Sequence, residues 1–110
     1  MKLQLTPQSL RLRLAAEEVA EFGRTGQLTQ VLHLGPGAAL TYALRQLPDD
    51  APAALGPRAH FAAGMLTVEV PAALARQLVA GTTVSLKSET AGTNGQLLRI
   101  LVEQDLGPSH

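Results

Sequence analysis

Apolar and polar residues alternate strictly through Ser9-Leu10-Arg11-Leu12-Arg13-Leu14, the two-residue period of a strand that buries one face. Residues 2–5 predict a second strand, and Thr6-Pro7-Gln8 between the two predicts a turn whose bend the proline sets. From Ala15 to Arg24 the period lengthens. Val19 and Phe22 stand three apart, Glu17 and Glu18 open the segment and Arg24 closes it, which is the charge order that complements a helix dipole. Gly26 is the expected terminator. Leu28 to Leu34 predicts a strand and Gly35-Pro36-Gly37 a turn. Leu40 to Leu44 predicts another strand, with Leu40, Tyr42 and Leu44 on one side.

Between Gln46 and Pro57 the residues Pro48, Asp49, Asp50, Pro52, Gly56 and Pro57 exclude continuous regular structure, so residues 46–57 are the expected linker. The pattern then returns. Ala59 to Ala62 predicts a strand, Gly64 a turn, and Leu66 to Val70 an alternating strand. Pro71 suits the first position of a helix, Leu74 and Leu78 share a helical face, and Gly81 ends it. Val84 and Leu86 begin a strand, Ala91 to Gly95 forms a hairpin loop with an Asn94-Gly95 signal, and Gln96 to Glu103 is the last strand. Asp105 to His110 reads as a frayed tail.

A shift of 56 residues lays Leu10, Leu12 and Leu14 on Leu66, Val68 and Val70, Leu28 on Val84, Tyr42 on Leu98 and Leu44 on Ile100. Val19 and Gly26 match Leu74 and Gly81 at a shift of 55. This recurrence predicts an α+β, mostly β fold in which residues 1–45 and 58–103 are duplicated β-α-β-β units. Neither unit can bury its own apolar strand face and short helix, so the two are expected to pack as one small barrel-like domain with pseudo-twofold symmetry.

Composition narrows the functional classes. At 110 residues and 45% hydrophobic content the chain is long and apolar enough for one folded domain. Nine basic and nine acidic residues balance, with a surplus of two cations before residue 46 and two anions after it, too little to name a partner. Without cysteine there is no disulfide, no thiolate catalysis and no Cys-based zinc site, and a cytoplasmic setting is expected. No apolar run reaches the roughly 18 residues of a membrane span, and the N-terminus lacks the apolar core of a signal peptide. Phe22, Phe61 and Tyr42 are the only aromatics, a poor stock for stacking bases.

Arg11 and Arg13, two apart on one strand face, suit an anion or phosphate group. The competing expectation is a solvated face paired with Glu69, Glu17 or Glu21. His33 and His60 have no third ligand at metal spacing, so no metal site is expected. Glu17 and Glu18 diverge by about 100° on a helix and do not converge as an acid–base pair. Gly35-Pro36-Gly37 lacks the lysine and spacing of a phosphate loop, and no serine or threonine stands in a recognisable triad. No cofactor is expected.

Two resemblances follow from these residues. The segment Leu66 to Pro71, with Leu74, Leu78, Gly81, Val84, Leu86, Asn94-Gly95, Leu98 and Ile100, resembles the swapped-hairpin barrels of AbrB-type transition-state regulators. That resemblance implies a barrel and a regulatory DNA-binding role in which Arg11, Arg13, Arg24 and Arg45 contact phosphates. The opening Ser9 to Leu14, Glu18-Val19, Leu40 to Leu44 and Ile100 to Glu103 are similar to an uncharacterised bacterial family, which implies no activity. The leading expectation is a non-enzymatic binding or interaction module of unknown partner. An AbrB-like DNA-binding protein, a homo-oligomer, and a small enzyme or anion-binding protein are the alternatives.

Overall fold

Leu10, Leu12 and Leu14 are all buried while Ser9, Arg11 and Arg13 between them stay partly open, so the alternation read in the sequence becomes an inside and an outside. The computed structural model describes the chain apart from residues 51, 53–55, 93–94 and 106–110. Its elements run β1 (Lys2–Thr6), β2 (Ser9–Leu14), α1 (Ala16–Thr25), β3 (Gln27–Gly35), β4 (Ala38–Gln46), β5 (Arg58–Ala62), β6 (Met65–Val70), α2 (Ala72–Ala80), β7 (Ser85–Ala91) and β8 (Leu97–Gln104). The fold is α+β and mostly β.

The strands form two four-stranded sheets, ordered β1-β2-β8-β7 and β3-β4-β6-β5. Each takes one antiparallel hairpin from either half of the chain, joined down the middle by a parallel pair, β2 with β8 and β4 with β6. The expected barrel does not close: the strands stay in two separate sheets, and four edges remain. Apolar faces of both sheets meet in one core. Leu10, Leu12, Leu14, Ile100 and Val102 come from the first sheet, Leu28, Leu44, Val68 and Val70 from the second. Val19 and Phe22 of α1 and Ala75 and Leu78 of α2 complete it.

Both helices end as their glycines predict: Gly26 and Gly81 sit at left-handed φ values of 73° and 80°, where a side chain is strained. Pro71 stands one place earlier than expected, as the residue before α2, because its ψ of 142° is extended and not helical. Val84 also departs from expectation. The strand begins at Ser85, and Val84 is 45% exposed while Leu86 is buried.

The reason lies in the connection. Gln27 follows Gly26 directly into β3, whereas Thr82, Thr83 and Val84 separate Gly81 from β7. Leu10 pairs with Ile100 and Leu66 with Tyr42, while Leu28 pairs with Leu44 and Leu86 with Val102. The Asn94 of the expected hairpin signal lies outside the described residues, as do residues 106–110 of the expected tail and residues 51 and 53–55 of the linker. The end of that linker is firmly seated: Pro57 is fully buried, and its carbonyl accepts a hydrogen bond from Ser88 Oγ.

Candidate functional site

On β1 and β2 the turn that carries the site is locked by its own side chains. Thr6 Oγ1 accepts the Gln8 N–H at 3.2 Å and lies 2.7 Å from Ser9 Oγ. With Leu10, Leu12 and Leu14 turned inward, register assigns Lys2, Gln4, Thr6, Ser9, Arg11 and Arg13 to the outer face of the first sheet. The parallel neighbour β8 adds Arg99, Leu101 and Glu103, and β7 beyond it adds Lys87 and Glu89. Five of the nine basic side chains thus share one sheet face with two glutamates. The outer face of the other sheet is different: its register places Thr29, Val31, Thr41, Ala43, Thr67 and His60 there, with Arg45 and Arg58 beside Glu69.

Glu103 organises the basic face. Its Oε1 lies 3.0 Å from Arg11 Nε and 3.4 Å from Arg13 Nε, so a single carboxylate serves two guanidiniums. Asp105 stands 3.8 Å from both Arg13 Nη2 and Lys2 Nζ. Arg99 and Glu89 pair across β8 and β7 at 3.9 Å, with 72% and 55% of their side chains exposed. An ion pair so exposed contributes about 0–1 kcal/mol, because water and salt screen it. Gln4, Thr6, Ser9, Arg11, Lys87 and Arg99, together with the carboxylate of Glu89, line a shallow groove of about 680 Å³ on this face.

The four arginines singled out in the sequence divide among three places. Arg11 and Arg13 lie together on the basic face, paired with Glu103 and not with Glu69, Glu17 or Glu21. Arg45 sits on the opposite sheet, 2.5 Å from Glu69, which also receives His60 Nε2 at 3.8 Å. Arg24 ends α1, 4.0 Å from Glu21. Arg24 and Arg45 border a separate hollow beside Gly26 and Pro48.

His33 and His60 lie on β3 and β5, the two edges of one sheet with β4 and β6 between them, and do not meet. Among the described residues no three histidines or carboxylates gather as a metal site, and no helix is long and apolar enough to cross a membrane. Lys87 and Arg99 were not legible as site residues. The alternation of Leu98-Arg99-Ile100 marks Arg99 as outward-facing, but nothing along the chain says that β8 lies parallel to β2.

A second polar cluster joins the two sheets. The Met1 ammonium pairs with Glu18, whose Oε1 also accepts the Ala15 N–H at 2.8 Å. The Tyr42 hydroxyl lies 2.8 Å from both the Met1 carbonyl and Gln30 Oε1. Burial pushes the Glu18 carboxyl up, but the hydrogen bonds from the Met1 ammonium and Ala15, with the charge of that ammonium, outweigh it and hold the group below its ordinary value. Burial first, and the nearby Glu18 charge second, push the Tyr42 phenol up. This cluster fastens β1 and α1 to β4.

A family model described only as a family of unknown function matches residues 1–107. No curated protein and no solved structure matches the chain.

Proposed function

Because the chain belongs to the family of unknown function DUF7009, membership brings no activity with it, and we propose from the geometry that it is a non-enzymatic binding module. Its ligand is anionic and sits on the outer face of the first sheet, contacted by Arg11, Lys87 and Arg99. One observation carries this reading: five of the nine cationic side chains gather there around Glu103, Glu89 and Asp105, a local cationic surplus in a chain whose charges balance as a whole. The groove beside Arg11 supplies hydroxyl and amide partners from Thr6, Ser9 and Gln4.

Pyrophosphate titrated into the protein and followed by NMR tests it. Saturable shifts at Arg11, Lys87 and Arg99 are expected, and an Arg11→Ala/Arg99→Ala double variant should bind at least about tenfold more weakly, or 1.4 kcal/mol. Arg24→Ala should bind as the parent does. Absence of shifts at millimolar pyrophosphate overturns the proposal.

The alternative is an AbrB-like DNA-binding role. Its support is the topology, in which each half of the chain lends a hairpin to the sheet of the other, as a duplicated swapped-hairpin unit would. Retention on double-stranded DNA that falls steeply with salt and requires Arg24 and Arg45 would favour it over a small anion.

A further inference from the structure

We propose that β3 is the surface through which two copies of this chain associate, pairing edge to edge and antiparallel across residues Thr29–His33. The first sheet ends on β1 and β7 and the second on β5 and β3. An edge strand displays unpaired N–H and C=O groups, and monomeric proteins protect such edges with charge, proline or brevity. β1 carries Lys2, β7 carries Lys87 and Glu89, and β5 is five residues long with Arg58 at its start. β3 has none of these protections. It is nine residues long and lies in a stretch, residues 25–44, that contains no Asp, Glu, Lys or Arg.

That edge is also apolar where it stands clear of the core. Leu28 is its one buried residue, while Val31, Leu32 and Leu34 are 51%, 48% and 64% exposed. A register shift between His33 and Gly35 disrupts the strand near its tip, and Gln27 directly follows Gly26, the residue that caps α1. Thr29–His33 is therefore the span free to pair.

The absence of charge selects the occupant. A twofold pairing sets the strand against itself, so any charge near the axis would meet its own like and destabilise the pair. With Val31 at the axis, Gln30 stands opposite Leu32 and Thr29 opposite His33 of the other copy. No charged side chain is opposed anywhere in that register. A partner protein recognised by its charge would find nothing on β3 to read, whereas a second copy needs nothing beyond backbone pairing and apolar contact.

Sedimentation equilibrium of the full chain tests the proposal. The parent should reach twice its 11.5 kDa mass at high concentration. Val31→Lys and Val31→Asp should each sediment as monomers, and their equimolar mixture should regain the doubled mass, since lysine then faces aspartate across the axis. Circular dichroism checks that each variant is folded, and Leu32→Lys, at another exposed position, replaces either one that is not. A parent that stays monomeric overturns the proposal. So does a dimer that survives the Val31 and Leu32 substitutions. Pyrophosphate binding is read separately, so failure of one proposal leaves the other standing.

Discussion

Gly56 shows how one residue can decide a junction. Its φ is +66°, and a Cβ there would lie 2.9 Å from Ser88 Cβ and 3.0 Å from the Lys87 carbonyl oxygen. Both the backbone conformation and the space exclude a side chain, so Gly56→Ala should destabilise the fold by about 1–3 kcal/mol in a urea melt. Glu18 makes the second residue-scale prediction. Its folded carboxyl titrates below its ordinary value of 4.5, so the folded state binds that proton less readily than the unfolded chain. The stabilisation is complete above the unfolded value and is lost as pH falls through the lowered folded value. Glu18→Gln should therefore lower stability at pH 7 and narrow its gap to the parent in melts taken progressively below pH 4.5.

At the scale of elements, the β3–β4 hairpin behaves as two pieces. Near the helices Leu28 and Leu44 pair across the strands, 7% and 0% exposed, and belong to the core. Toward Gly35 the same strands run out past it. Leu44→Ala should cost about 2–5 kcal/mol, since it removes buried apolar volume and leaves a cavity. Leu34→Ala, in dilute solution, should stay within about 0.5 kcal/mol of the parent. Denaturant melts of the two variants check the contrast. An equal loss would mean that the distal hairpin is packed against something beyond its own sheet.

For the whole molecule, the exchange of hairpins has a thermodynamic consequence. The first sheet needs β1 and β2 from one half and β7 and β8 from the other, and the second sheet is divided in the same way. Neither half can keep a four-stranded sheet or close its core alone. Residues 1–47 and 56–110 prepared separately should show no cooperative melt, and mixing them should restore one. In the intact chain, far-ultraviolet and near-ultraviolet signals should be lost in a single coincident transition. Two separated transitions would contradict this account of the core.

The order of elements was legible in the sequence because period and punctuation are local properties. Alternating apolar residues from Leu10 to Leu14 and from Leu66 to Val70 specify strands wherever those strands go, and Gly26 and Gly81 stop their helices through backbone sterics alone. Pairing between strands from the two halves of the chain was not legible. Parallel contact between β2 and β8 joins residues about ninety positions apart, and is fixed by which apolar faces bury each other rather than by any neighbouring residue. Hence Arg11 and Arg13 were visible as an outward pair, while Lys87, Arg99 and the shared Glu103 came to them only through folding. Local chemistry determined what each segment is; burial across the whole chain determined which segments meet, and with that the basic face and the uncharged edge.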